Sequence, residues 1–255
     1  MKTRYSRYMN TSPTAAVLII GNEILSGRTQ DINLNYIAKK LGAIGVRLAE
    51  ARVVPDSEAE VVATVNALRQ RYTYVFTTGG IGPTHDDITT DCIGKAFGAL
   101  VEENAEARDL LKAYYTTTPL TPARLRMARI PVGAELVVNR ISAAPGYRLD
   151  NVFVLAGVPA IMQAMLEEIL PKLQHGVAFV SQSVSGFVAE SKVAEGLAAI
   201  AARYPQLDIG SYPWEREGRH GTALVTRGTD SAAVAAATDE VFALVIQHDP
   251  AATRQ

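Results

Sequence analysis

Cysteine is nearly absent: Cys92 is the single one in 255 residues. One cysteine excludes an internal disulfide framework and suits a reducing compartment. A basic excess is also missing, since 25 Lys and Arg stand against 26 Asp and Glu. The chain therefore lacks the electrostatic footprint of a nucleic-acid binder, and no such partner is expected. No apolar run approaches membrane-spanning length, so no membrane partner is expected either. Met1 to Asn10 carries Lys2, Arg4 and Arg7 with no apolar core directly behind them, which is not the pattern of a signal peptide. With 48% hydrophobic and 20% charged residues, the composition is that of a globular domain. A cytoplasmic protein is the expectation. Two nucleotide-binding signatures are missing as well: G-x-x-x-x-G-K-[ST] does not occur, and neither does a complete G-x-G-x-x-G.

What is present centres on Thr77-Thr78-Gly79-Gly80-Ile81-Gly82-Pro83-Thr84-His85-Asp86-Asp87-Ile88-Thr89. An apolar run, Tyr74-Val75-Phe76, precedes it and reads as a buried strand. Ile88, Cys92, Ala96 and Leu100 follow at helical spacing. Strand, glycine turn and helix start make a place where a ligand reaches the backbone. The N–H groups and positive dipole end of a helix start favour an anion such as phosphate. Asp86 and Asp87 sit beside that site and would repel phosphate unless a cation lies between. The plainer alternative is that Thr84-x-x-Asp87 is a capping box, with Asp86 or Asp87 serving only the helix dipole. Cys92 falls on the apolar helix face and reads as a buried structural thiol.

Strands and helices alternate through the first part of the chain. Ala15 to Ile20 reads as a strand buried on both faces. Asp31 caps a helix facing inward with Leu34, Ile37, Ala38 and Leu41. Val46 to Val54, a helix with Val61, Val65 and Leu68, and Tyr74 to Thr77 continue the pattern. Glu102 to Tyr115 reads as a helix, and Pro122–Ala128 as a short one. Leu136–Val138 and Val152–Leu155 read as strands, with a turn at Ala144-Pro145-Gly146 between them. A helix follows with Ile161, Met165, Ile169 and Leu173 on one face. The fold class predicted is α/β, a doubly wound, mostly parallel sheet. Its ligand crevice should lie beyond the carboxyl ends of the strands, where Gly21-Asn22-Glu23, Pro55-Asp56 and Gly79 to Asp87 fall. Arg124, Arg126 and Arg129 read either as a phosphate contact or as a solvated face.

From Val177 the pattern becomes strand, helix, strand, strand, helix, a small α+β domain. The expected organisation is an N-terminal extension over 1–14, an α/β domain over 15–175 and the small domain over 176–255. Gly218-Arg219-His220-Gly221 spells a G-x-x-G clamp, but it stands between two predicted strands and reads as a hairpin loop.

The glycine-turn string resembles the molybdopterin-binding (MoaB/Mog-like) domain family. It is most like the branch found at the N-terminus of the competence/damage-inducible protein CinA. Gly21-x-Glu23-Ile24-Leu25-x-Gly27, Asn33, Asn35, Val54-Pro55-Asp56, Arg126, Pro131, Asn139 and Ala144-Pro145-Gly146 match that family. Where the family usually carries Pro-Gly-Pro-Pro, this chain has Ala156-Gly157-Val158-Pro159. Ile209-Gly210-Ser211-Tyr212-Pro213 resembles the small domain that follows in the CinA-like branch. The deamidase domain of full-length CinA proteins has no room here, so a short stand-alone form is expected.

The resemblance implies one of two activities. One is metal-dependent pyrophosphatase chemistry on ADP-ribose or FAD-type dinucleotides. The other is non-hydrolytic binding of molybdopterin. Asp87 and Asp56 are then the catalytic candidates, and Asp86, Asp87 and Asp56 the metal ligands, for Mg2+ or a similar divalent cation. Gly21, Glu23, Thr78, Gly79, Gly80, Gly82, Thr84, Asn139, Pro145, Gly146 and Gly157 are the expected contacts to substrate or phosphate. A homodimer or higher homo-oligomer is expected.

Overall fold

The computed structural model describes residues 12–216 and 218–255. The expected extension over 1–14 lies mostly outside them. The chain divides into two compact units between Gly176 and Val177.

The first unit begins with β1 (Thr14–Ile20), the single helical turn α1 (Asn22–Leu25), α2 (Asn33–Ala43) and β2 (Arg47–Val54). It continues with α3 (Glu58–Arg69), β3 (Tyr74–Thr78), α4 (Thr89–Phe97), β4 (Val101–Glu103) and α5 (Ala105–Tyr114). Then come α6 (Pro122–Leu125), β5 (Arg129–Pro131), β6 (Glu135–Val137), β7 (Gly146–Leu149), β8 (Val152–Leu155) and α7 (Pro159–Ile169). The main sheet has the order β2-β1-β3-β8-β7-β6. β2, β1, β3 and β8 run parallel, and β7 and β6 add an antiparallel edge.

The unbroken apolar run of β1 has a direct cause. Ala16, Leu18 and Ile20 face one core with Val61, Val65, Leu68, Cys92 and Ile93. Ala15, Val17 and Ile19 face the other with Ile37, Leu41, Met165 and Ile169. Helices α3 and α4 therefore cover one side and α2 and α7 the other, the doubly wound arrangement. Phe76 and Phe153 stack at 5.1 Å within the second core. Because β2 and β3 flank β1 on opposite sides, the chain reverses direction across the sheet there. The crevice at such a switch point opens beyond the ends of β1 and β3.

The second unit consists of β9 (Val180–Gly186), α8 (Glu190–Arg203), β10 (Asp208–Arg216), β11 (Arg219–Gly228), α9 (Ser231–Ile246) and β12 (Thr253–Arg254). Its sheet, β10-β11-β9-β12, is antiparallel. Val184, Leu224, Val193, Ile200, Val241 and Val245 form its core between sheet and helices. Strands β10 and β11 pair from Asp208 to Arg227 through to Arg216 and Arg219, so Gly218 stands at a hairpin turn and His220 and Gly221 are in the strand. Among the described residues no helix is long and apolar enough to cross a membrane.

Several expectations need correction. Glu102 and Glu103 are not helical: they pair in β4 with β5, and Asn104 then caps α5 by accepting from the Ala107 N–H at 2.9 Å. Leu100 is outside α4 and 72% exposed, because Gly98 ends that helix in a left-handed conformation. Gly146 is the first residue of β7, beyond the turn. The short elements α1, β5, β7 and β12 carry too few residues to show a period.

Thr89 joins the glycine turn to α4. Its N–H donates to the Gly80 carbonyl at 3.0 Å and its hydroxyl to the Gly79 carbonyl at 2.9 Å. Thr89 is fully buried. Thr89→Val keeps the shape and strands the Gly79 carbonyl, so it should cost about 1–3 kcal/mol in denaturant unfolding. Thr89→Ser, which keeps the hydroxyl, should lose about 1 kcal/mol. A loss below about 0.5 kcal/mol in Thr89→Val would show that the hydroxyl bond contributes nothing. Cys92 is also buried, and desolvation pushes its thiol up to about 11. It should resist alkylation at pH 8 in the native state and react fully in denaturant; rapid native labelling would contradict the packing.

Candidate functional site

The ends of β1, β3 and β8 converge. A Cβ built at Gly79 would sit on the Ile20 carbonyl oxygen, and Gly79 has a φ of 101°. At Gly80, with a φ of 67°, it would sit on the Thr89 hydroxyl. These two glycines are thus required by the backbone itself, before any ligand is considered. The Gly79 N–H donates to the Leu155 carbonyl at 3.2 Å, and Gly157 lies across from the Gly79 Cα. Asn33 holds this last loop by donating to the Gly157 carbonyl at 2.8 Å, while its own Oδ1 is buried without a partner.

Beyond these strand ends is a cavity of about 370 Å³. Gly79, Gly80, Gly82 and Pro83 line one side, and Asn139, Ala144, Gly157 and Val158 another. Among the described residues Glu23 and Asp87 are the charged ones lining it, and no Lys or Arg is with them. The Asp87 Oδ2 accepts from the Thr84 N–H at 2.8 Å and from the Thr84 hydroxyl at 2.5 Å. That is one half of a capping box, the carboxylate on the Thr84 N–H, closed on a turn before α4; the Asp87 N–H donates to the Thr84 carbonyl instead of to its hydroxyl. The N-cap of α4 itself is Ile88, without a side-chain cap. Since the Thr89 N–H is taken by Gly80, the helix start offers the cavity less than the sequence suggested.

The other expected residues divide. Asp56 is outside the cavity wall, accepting from the Asn22 N–H at 2.8 Å and so fixing the turn that carries Glu23. Gly21 allows the Glu23 side chain to fold back, its carboxylate 2.6 Å from where a Cβ would stand. Asp86 stands in solvent, its carboxyl held below the usual range chiefly by the nearby Thr84 hydroxyl. Thr78 is buried in β3, and Thr84 serves Asp87. Asn139 spends its side chain inside its own loop: it donates to Ser142 and Ala144 and accepts from the Ile141 N–H. Gly146 pairs with Val137 in the sheet, and Pro145 lines a smaller chamber next to the cavity. Among the described residues no three His, Cys, Asp or Glu side chains gather around one point. Asp56, Asp86 and Asp87 are therefore not a preformed metal triad, because Asp56 is turned to Asn22 and Asp86 to solvent.

The arginines also separate. Arg124 stacks 4.0 Å from the Tyr115 ring and donates to Thr118 and Pro119. Arg129 pairs with Asp91 through two contacts, at 2.8 and 3.2 Å. Arg126 lines the chamber beside Asp87. Thr89 was missed by sequence reading, although a threonine opening a helix after a glycine turn is a recognisable signal.

Residues 16–175 match the family model described as "Probable molybdopterin binding domain", and residues 178–249 match "FAD synthase, middle domain". A protein of Archaeoglobus fulgidus is 33% identical over 198 residues, which is 77% of this chain and 84% of the relative. A CinA-like protein of Desulfosudis oleivorans is 34% identical over 77% of this chain, which spans 51% of that relative. The crystal structure of CinA from Thermoplasma acidophilum, described as of unknown function, matches with a TM-score of 0.60 and 32% identity, over 63% of this chain and 98% of that one. The chain belongs to the molybdopterin-binding domain family, among CinA-like relatives.

Proposed function

We propose that the first unit binds a phosphate-containing small molecule at the glycine turn and hydrolyses a phosphoanhydride of the ADP-ribose or FAD type with a divalent metal. The observation that carries this is the charge of the cavity: among the described residues Glu23 and Asp87 line it, with no Lys or Arg beside them. A passive phosphate site has no use for two carboxylates. They suit a hard divalent cation such as Mg2+, which binds through one or two carboxylates and completes its shell with substrate phosphates and water. The absence of a third clustered ligand among the described residues fits that mode, and the residues that would hold the ion are Glu23 and Asp87. When bound, such an ion neutralises anhydride charge and lowers the pKa of water.

The chain's own residues supply the rest. Thr84 fixes the Asp87 carboxylate through Oδ2 and makes no hydrogen bond to Oδ1. Gly80 and Gly82 keep side chains away from the bound phosphate. Glu23 can accept a proton from an attacking water. Asp56 acts by positioning, through Asn22. The second reading, molybdopterin binding without hydrolysis, is favoured by the family model matched over residues 16–175. Under either reading the protein works in the cytoplasm as a homodimer or higher homo-oligomer, which sedimentation at micromolar concentration checks.

The test is a panel of ADP-ribose, FAD and related dinucleotides, with and without divalent metal. Metal-dependent release of nucleoside monophosphate supports hydrolysis. Asp87→Asn keeps an acceptor for Thr84 and removes the charge. It should lower turnover by at least about 100-fold and change unfolding free energy by less than about 1 kcal/mol. Near-normal turnover of Asp87→Asn at saturating metal would remove the catalytic assignment and move the binding reading ahead.

A further inference from the structure

The main sheet ends on one side at β2, and among the described residues no strand pairs with its outer edge. A bulge lies where Ala15 and Ala16 face Leu48 and Glu50; from Glu50 to Val54 the register with β1 is regular. The Val54 carbonyl accepts from the Gly21 N–H at 3.2 Å, so Val54 turns its backbone groups towards β1. Backbone direction alternates along a strand, and Ala51 and Val53 therefore turn theirs outward. A bare edge of this kind is a template for another strand.

The two faces of β2 differ. Ala51 and Val53 stand beside Val17 and Ile19 of β1, on the side of α2. With Leu34, Ala38 and Leu48 they line an open apolar groove of about 620 Å³. Helix α2 covers β1 and leaves Val53 41% exposed. Glu50 and Arg52 stand beside Ala16 and Leu18, on the side of α3. They pair with each other at 2.7 Å, and Glu50 also meets Arg71 at 3.1 Å.

The order of these residues decides what covers the edge. A second β2 can lie antiparallel to the first about a two-fold axis at Ala51. Glu50 then lies opposite the partner's Arg52, and Arg52 opposite the partner's Glu50. An axis at Glu50 or at Arg52 would set like charges against each other. The backbone selects the same centre independently, because Ala51 points outward and can exchange both hydrogen bonds with the partner's Ala51. Glu50 and the partner's Arg52 are then a non-hydrogen-bonded pair, where opposed side chains come closest. On the other face Val53 meets the partner's Ala49 and is covered.

We propose that the protein forms a homodimer by pairing β2 with β2 about an axis at Ala51, joining the two main sheets into one. The charge pattern of the strand is its own complement, so the occupant is a second copy. The groove shares no residue with the glycine-turn cavity, so the inference is independent of the hydrolytic reading and gives the expected homo-oligomer a surface.

The test is sedimentation of the full chain at micromolar concentration, with the circular dichroism of each variant recorded to confirm its fold. Wild type should be a dimer. Arg52→Glu makes the strand repel its own copy, and so does Glu50→Arg; each alone should raise the dimer Kd at least about tenfold. Mixed, the two variants complement each other and should form a one-to-one dimer. Ala51→Pro removes an outward N–H, leaves both charges in place and should also give monomer. Ala51→Cys should form a disulfide-linked dimer on mild oxidation faster than Val53→Cys, since the axis sets paired Cα atoms about 5.5 Å apart at Ala51. A monomeric wild type would overturn the interface, as would a dimer that Arg52→Glu and Ala51→Pro both leave intact. Folded charge variants that fail to pair when mixed would overturn it as well.

Discussion

The site depends on one steric constraint, the close approach of the β1 and β3 ends. The Gly79 backbone lies against the Ile20 carbonyl with no room for a side chain. From that contact the rest follows. Gly80 turns back onto Thr89, which ties the turn to α4 through two hydrogen bonds. The β8 end packs its Gly157 onto Gly79, and Asn33 holds that loop from α2. A cavity is left in front of three strand ends, each fixed by the others. Glycine is there first because the fold is crowded. Open access to a ligand is a consequence of the same crowding, since the backbone is bare where the strands meet.

The second determinant is charge. The cavity is acidic, with Glu23 and Asp87, while the neighbouring chamber carries Arg126 beside the neutralised Arg129–Asp91 pair. An anionic ligand meets repulsion on the acidic side, which the divalent cation of the proposed function would relieve by lying between the carboxylates and a phosphate.

Much of this was legible in the sequence because burial on both faces writes an unbroken apolar run, as in β1, and amphipathic helices write a period, as in α2 and α7. The glycine turn was legible because its residue types are specialised. What was not legible depends on distance in space. Nothing in the string Pro55-Asp56 says that the carboxylate turns to Asn22 and away from the cavity. Asn139 reads as a polar contact for a ligand, yet its amide is consumed by Ser142 and Ala144. The three arginines look equivalent in sequence and differ only through Tyr115 and Asp91, which the fold brings to two of them. Glu103 reads as helical because α5 follows at once, and a three-residue strand is decided by its partner β5.

The central claim is that Glu23 and Asp87 hold a divalent ion against the phosphates of a ligand at the glycine turn. A crystal structure with Mn2+ and α,β-methylene-ADP tests it most directly, because manganese identifies itself by anomalous scattering. The account predicts one peak within about 2.5 Å of carboxylate oxygens from both residues and of a phosphate oxygen. A ligand seated at Gly79 to Gly82 with no metal between it and those carboxylates would contradict it, as would a peak elsewhere on the protein.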